Sequence, residues 1–362
     1  MRRVALLGCG GFIGSHLLKG LLQRTDLEIL GWDLDSHRIV PFLDHPRFSF
    51  FQGDLYRDPL LEERLAGCDA IYSLAAICWP SRYSGEGCAV IESNFMEPAR
   101  LVEMSARLGK WLIHFSTSEM YGRTLAGSLG LDAESRMDLT LLSEDTSPFL
   151  LGPVHRSRWS YACAKQLLER WIFAHHREQG LCYTLIRPFN FIGSDMDFLP
   201  GLESGEGTPR VLACFLSALL RGEPLALVDG GTARRTFLHI DDAVDALMKL
   251  LENPDKAKNQ IFNLGHPGNE VSIRQLADQL RLAFSEVTGR DEYLHHPCAD
   301  IASRDFYGEG YDDSDRRLPD IRKARELLGW EPRIPLDEAL RSIASHVWHT
   351  HGRISPLLTA QK

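Results

Sequence analysis

The segment Val4-Ala-Leu-Leu7-Gly8-Cys-Gly-Gly11-Phe-Ile-Gly14-Ser-His-Leu-Leu-Lys-Gly-Leu-Leu22 decides the fold. Four apolar residues stop at a glycine, and an apolar pattern of helical period starts at Phe12. This predicts a strand over Val4–Leu7 and a helix over Phe12–Leu22. The glycines are spaced G-x-x-G-x-x-G. Gly8 permits the tight turn, Gly11 lets backbone approach a pyrophosphate, and Gly14 lets the helix lie close to the sheet. The helix N-terminus then faces the phosphates. On its own the motif also suits a plain strand–turn–helix. The next strand, Glu28–Trp32, ends at Asp33, where a carboxylate can hold a ribose 2′-hydroxyl and would repel a 2′-phosphate, so NAD is favoured over NADP. Gly53-Asp54 follows a third strand, Phe48–Phe51. Asp54 reads equally as an adenine contact or as a turn residue.

Working outward, strands are predicted over Ala70–Leu74, Trp111–Phe115 and Tyr183–Ile186, with helices over Asn94–Leu108 and Ser160–His176. Alternating strand and helix imply an α/β fold: a doubly wound parallel sheet of Rossmann type with right-handed crossovers. The second half is less regular. Gly193–Pro209 is rich in Gly, Pro, Asp and Ser and reads as a long loop of the kind that covers a site. Helices are predicted over Arg210–Leu220, Asp241–Glu252 and Ile273–Phe284, the last opened by a capping box of Ser272 and Gln275. Arg304–Arg317 reads as a second site loop. The expected organisation is a dinucleotide-binding unit of residues 1–187, to which 211–265 return, and a smaller C-terminal α/β substrate lobe of 188–210 and 266–350.

Bulk properties narrow the function. The 362 residues carry a formal net charge of −9, which argues against nucleic acid or an anionic membrane as partner. No apolar run approaches the ~20 residues that span a bilayer. Met1-Arg2-Arg3 and its apolar run end in glycines without a cleavage pattern and read as the first strand. The eight cysteines show no metal or disulfide spacing, so no metal site is expected, and reduced thiols in the cytoplasm are the simplest reading.

Tyr161-Ala-Cys-Ala-Lys165 puts a phenol and an ammonium on one face of a helix. The ammonium is expected to lower the phenol's pKa, so that Tyr161 takes a proton from a sugar hydroxyl during oxidation. Y-x-x-x-K is common as a solvated pair. Here it follows the glycine motif and Ser116-Thr117-Ser118-Glu119, at the carboxyl end of a strand, where open α/β sheets build their sites.

Together these residues resemble the extended short-chain dehydrogenase/reductase family of NAD-dependent sugar-nucleotide enzymes, as do Leu74-Ala75-Ala76, Arg187-Pro188-Phe189-Asn190 and Leu328-Gly329-Trp330-Glu331-Pro332. Within it, long runs are similar to UDP-apiose/UDP-xylose synthases and related UDP-glucuronic acid decarboxylases: Ala75-Ala-Ile-Cys78, His114-Phe-Ser-Thr-Ser118-Glu119, Arg158 to Arg170, Pro209 to Phe215 and Phe306 to Arg317. The resemblance implies a cofactor site of Gly8, Gly11, Phe12, Ile13, Gly14, Asp33, Asp54, Leu74, Ala75, Ala76, Asn94, Tyr161, Lys165 and Pro188. It implies catalytic roles for Tyr161, Lys165, Thr117, Glu119, Arg317, Cys78 and Ser118. It implies substrate contacts at Cys78, Tyr83, Arg158, Asn190, Arg210, Arg235 and Tyr311. Arg317 would fork a C6 carboxylate, Glu119 would handle protons at C4 or C5, and Arg210 and Arg235 would meet the diphosphate.

The implied activity is NAD-dependent oxidative decarboxylation of UDP-glucuronic acid through a 4-keto intermediate, giving UDP-xylose, UDP-apiose or UDP-4-keto-pentose. The chain departs from the apiose-forming relatives at Ser118, where they carry a second cysteine, and at Trp79 and Ala226, where they carry threonine and lysine. A 4-epimerase or 4,6-dehydratase shares the NAD and Tyr/Lys features, and an NAD sensor shares the fold. Family analogy implies a homodimer formed through Asn94–Leu108 and Ser160–His176.

Overall fold

The computed structural model describes residues 1–78, 82–83, 85–205, 207–307 and 312–352. Its centre is a seven-stranded, all-parallel sheet. In chain order the strands are β1 (Arg3–Leu7), β2 (Glu28–Asp33), β3 (Phe48–Gln52), β4 (Ala70–Ser73), β5 (Trp111–Phe115), β6 (Cys182–Pro188) and β7 (Gln260–Leu264). In space the order is β7-β6-β5-β4-β1-β2-β3. The winding reverses between β1 and β4, so the loops leaving these two strands diverge and open a crevice at their carboxyl ends.

Every residue of β4 and β5, and all but the first of β1, is buried. This is the signature of a parallel sheet covered on both faces. Alternation along β1 assigns the two cores. Val4 and Leu6 join one apolar cluster, and Ala5 and Leu7 join the other. Helix α1 (Phe12–Arg24) covers the first face with α5 (Ile240–Glu252). Helices α2 (Glu97–Arg107) and α3 (Trp159–Gln179) cover the second. Helix α4 (Val211–Arg221) precedes α5. Helices α6 (Ile273–Thr288) and α7 (Leu336–His351) pack on each other near the C-terminus. The capping box at Ser272 and Gln275 is present, with both reciprocal hydrogen bonds.

A second, four-stranded sheet has the order Glu270–Ser272, Arg234–Thr236, Arg316–Pro319, Leu141–Leu142. It draws on segments far apart in the chain. Arg235 and Arg317 are register partners in one of its two parallel pairs.

Two sequence expectations need correction. The helix expected over Asn94–Leu108 starts at Gly87 and passes through a π-helical turn at Glu92–Met96 before α2. Buried Asn94 explains the irregularity, because its amide donates to Ile77 O and Val90 O, both at 2.9 Å, and ties the helix to the loop after β4. The loop expected over Arg304–Arg317 ends in a strand. Its last residues, Arg316 and Arg317, are buried in that strand with carboxylate partners. Strand β7 lies outside the strands expected from the sequence, because polar Gln260 and Asn263 break up its apolar run. The Gly193–Pro209 loop has neither helix nor strand among its described residues, only an isolated bridge between Pro200 and Glu203.

Candidate active site

The crevice is a cleft of about 1060 Å³ running from the loop after β3 to the second sheet. At one end lies the glycine loop. Gly8 has φ +93°, in the left-handed region, and a Cβ there would sit 2.8 Å from Ala75 N. A Cβ on Gly14 would lie 2.1 Å from Gly8 O, so that glycine is fixed by the packing of α1 on the loop. Gly11 differs. A Cβ there would meet only Gly8 O, at 3.5 Å, so nothing in the chain demands glycine, and a side chain would take up room in the cleft that Gly11 lines.

Gly11 begins α1, whose N-terminus has no side-chain cap. Uncapped amides facing open space suit a pyrophosphate. Asp33, at the end of β2, lines the cleft and accepts from Gly10 N at 2.8 Å. Gly10 was missed in the sequence, although a Cβ on it would fall 2.1 Å from Asp35 O and 2.9 Å from Asp33 Cγ. The cradle therefore fits a dinucleotide with a free ribose 2′-hydroxyl.

Phe12, Ile13, Leu74, Ala75, Ala76 and Pro188 line the same cleft. Asp54 lines it too, while also acting as a turn residue: it accepts from Tyr56 N at 3.0 Å and pairs with Arg57 at 3.1 Å. Asn94 is fully buried behind the loop it holds and does not line the cleft. Glu92 and Ser93 of the π-helical turn and Glu97 at the start of α2 line it instead.

Midway along, Tyr161 and Lys165 reach the cleft from the first turns of α3, beside Thr117 and Ser118 at the end of β5. Thr117 hydrogen-bonds the Tyr161 phenol, and its Oγ1 accepts from Glu119 N at 3.1 Å. Lys165 Nζ donates to Phe115 O at 2.9 Å. Burial pulls Lys165 down from 10.5 to about 8.

The expected lowering of the Tyr161 pKa is not what the chain's own groups produce. Burial pushes the phenol well above its ordinary value, and Cys78 and Glu119 push in the same direction. The Thr117 hydrogen bond and Arg158 oppose this without reversing it. The tyrosine is therefore protonated in the resting chain. Tyr83 stacks on it, with ring centroids 5.0 Å apart and planes 11° apart. Tyr83 is buried, does not line the cleft, and its hydroxyl has no partner among the described residues. Its place is behind the reacting phenol.

The far end is a cluster of arginines and carboxylates. Arg158 donates both Nη atoms to Glu119, the Nη2 bond being 2.8 Å. Arg317 Nη1 lies 3.4 Å from Glu119 Oε1 and Nη2 lies 2.7 Å from Asp313 Oδ1. Arg235 Nη2 lies 2.9 Å from Asp313 Oδ2. Burial would raise Glu119, but Arg158 and Arg317 outweigh it and hold the carboxyl below its usual range. Asp313 is likewise held down by Arg235, Arg317 and Arg158 against burial. Asp313, absent from the sequence expectation, is thus central to the cluster. Its only sequence signal was an acid-rich run next to Arg316-Arg317, which does not say which acid faces which arginine.

Arg210 also lines the cleft, but its guanidinium forks Asp197 at 2.8 Å from both Nε and Nη2. Asn190 lines the cleft in a left-handed conformation, φ +40°, with its amide on Thr236 O at 2.8 Å. Cys78 is open on the cleft wall, where the surrounding protein raises its thiol pKa against the pull of Arg210. Ala226 lines the cleft. Tyr311 and Trp79 lie outside the described residues. Below the site, Arg187 forks Glu169 of α3 at 3.0 and 2.6 Å and so fixes the helix that carries Tyr161 to β6.

Comparison with known proteins agrees with this geometry. The chain is 44% identical over 357 residues to a UDP-D-apiose/UDP-D-xylose synthase of Oryza sativa, covering 96% of this chain and 89% of that protein. It is 43% identical over 358 residues to UDP-D-apiose/UDP-D-xylose synthase 1 of Arabidopsis thaliana, covering 96% and 92%. Among solved structures it resembles the PbgP3 protein of Burkholderia pseudomallei, with a TM-score of 0.81, 34% identity, and 98% and 97% of the two chains covered. Residues 4–265 match the model of one family, and with these relatives the chain belongs to the NAD dependent epimerase/dehydratase family.

Proposed function

We propose that the chain catalyses NAD-dependent oxidative decarboxylation of UDP-glucuronic acid through a UDP-4-keto intermediate, giving UDP-xylose and/or UDP-apiose or UDP-4-keto-pentose. The observation that carries this is the buried pair Arg158 and Arg317 in the same cleft as Thr117 and Tyr161. A sugar bearing a carboxylate two carbons from the hydroxyl to be oxidised matches both ends of that arrangement. The names of the plant relatives supply the nucleotide and the products.

Gly8, Gly11, Phe12, Ile13, Gly14 and Asp33 would hold NAD, with Leu74, Ala75, Ala76 and Pro188 against it. When bound, NAD supplies the two-electron acceptor and a cationic ring. Tyr161 must first give its own proton to water, which the positive charge of a bound NAD ring and of Lys165 would favour; its phenolate oxygen then takes the proton of the C4 hydroxyl, and Thr117 orients that oxygen. Lys165 stabilises negative charge on the phenol through space. Oxidation places a carbonyl β to the C6 carboxylate. The C5–C6 bond then breaks, its electrons enter the C4–C5 enolate, and CO2 leaves. Arg317 and Arg158 orient the carboxylate. Glu119, held ionised, is placed to accept a proton and not to donate one. Cys78 and Ser118 flank the sugar. Ser118 is a far weaker acid than a thiol and disfavours ring contraction to apiose.

The dinucleotide-binding unit would be residues 1–187 with 211–265, and the substrate lobe 188–210 with 266–350. β7 and α5 on the main sheet support the return, whereas Leu141–Leu142 and Arg234–Thr236 cross to the second sheet. The chain would work as a cytoplasmic homodimer. In support, α2 packs on α3, Leu167 and Trp171 on one face of α3 are exposed, and Ile91 and Met96 of the neighbouring helix are exposed as well. Incubation of the purified protein with NAD and UDP-glucuronate should release CO2 and yield UDP-pentoses identifiable by mass and NMR. Turnover of UDP-glucose without CO2 release from the uronate would instead identify an epimerase or dehydratase.

A further inference from the structure

Arg235 and Arg317 are neighbours across adjacent parallel strands, and both are buried at the cleft. Like charges so placed repel, and buried cations need anions. Asp313 serves both: Oδ1 accepts from Arg317 and Oδ2 from Arg235, with Arg158 Nη2 3.7 Å from Oδ1. Glu119 takes the other Nη of Arg317. Among the described residues only Nε of that guanidinium is without a partner. The fork that a C6 carboxylate needs is therefore filled by two carboxylates of the chain itself.

We propose that Asp313 is a positioning and specificity residue. It stands in for the sugar carboxylate in the resting cleft, yields Arg317 to that carboxylate on binding, and reclaims it once the carboxylate has left as CO2. This rests on the uronate reading above. The exchange keeps the buried arginines neutralised before and after the reaction. It also keeps the substrate carboxylate from being held too tightly. A carboxylate gripped by unopposed guanidiniums is stabilised in the ground state, and that stabilisation is lost as its charge passes into the enolate.

The test uses the NAD-loaded full chain, its Asp313→Asn variant and Asp313→Glu as control. Calorimetric binding of UDP-glucuronate and UDP-glucose is measured together with CO2 release. Removing one negative charge beside Arg317 should tighten UDP-glucuronate binding about tenfold while leaving UDP-glucose within about twofold. KM and kcat for CO2 release should both fall. Asp313→Glu, which keeps the charge, should hold the uronate-to-hexose affinity ratio within about threefold of the parent. Parallel changes for both ligands, or weaker uronate binding, would overturn the proposal and leave Asp313 a structural strut. If Asp313→Asn no longer binds UDP-glucose, the Asp313→Glu ratio decides: a change beyond that range overturns the exchange. Failure of the parent enzyme to release CO2 from UDP-glucuronate removes the uronate reading, and the proposal with it.

Discussion

Replacing Lys165 with methionine should make the protein more stable and nearly inactive. Lys165 is 2% exposed, and burial draws its pKa from 10.5 to about 8. At 1.36 kcal/mol per tenfold change, the folded state carries a penalty of about 3 kcal/mol for keeping this ammonium. The variant loses the bond to Phe115 O, 2.9 Å in the parent, which returns about 1 kcal/mol. Methionine fills much of the same space with an apolar chain. The net expectation is about 2 kcal/mol of added stability at pH 7.

The pH dependence identifies the cause. A base whose pKa falls on folding is penalised fully below its folded pKa, so the penalty is complete below pH about 8. It shrinks as pH climbs towards 10.5 and is gone above that. Urea unfolding of both proteins, followed by tryptophan fluorescence at pH 7 and pH 10, reads the difference directly. The variant's advantage should disappear by pH 10, because about 2 kcal/mol of the penalty has then been lifted from the parent. A variant no more stable than the parent at pH 7, or one whose advantage is the same at both pH values, would refute the argument. CO2 release measured on the same samples should fall by about 10² to 10⁴.

Tyr161→Phe should lower kcat by a similar factor of about 10² to 10⁴ and leave NAD affinity within a few-fold, as read by turnover and calorimetry. Asp33→Asn should weaken NAD binding and narrow the preference over NADP, since the repulsion of a 2′-phosphate is removed; unchanged discrimination would place the 2′-hydroxyl contact elsewhere. Trp171→Glu, on the exposed face of α3, should shift the mass measured by light scattering from dimer to monomer without unfolding the chain.

The parts of this molecule that were legible in the sequence are those fixed by local pattern. The glycine loop, the buried runs of β1, β4 and β5, and the capping box of α6 each depend on residues within a few positions, and each has the place its pattern predicted. What escaped depends on contacts between distant segments. The stretch from Asp312 to Arg317 is polar along its whole length, and only pairing with Arg234–Thr236 turns its last residues into a buried strand.

The Tyr161–Lys165 spacing correctly put two groups on one helix face, but the spacing is silent on burial. Burial reverses the expected direction of the Tyr161 pKa, and it lowers Lys165 enough to make that residue costly to fold. The same holds at the arginines. A chain that places Arg158, Arg235 and Arg317 in one cleft must also place Glu119 and Asp313 there, because unmatched buried cations would not be tolerated. An anionic substrate entering such a site has to replace a charge already present. Selectivity for a uronate then depends on how readily the resident carboxylates give way as much as on how strongly the arginines attract.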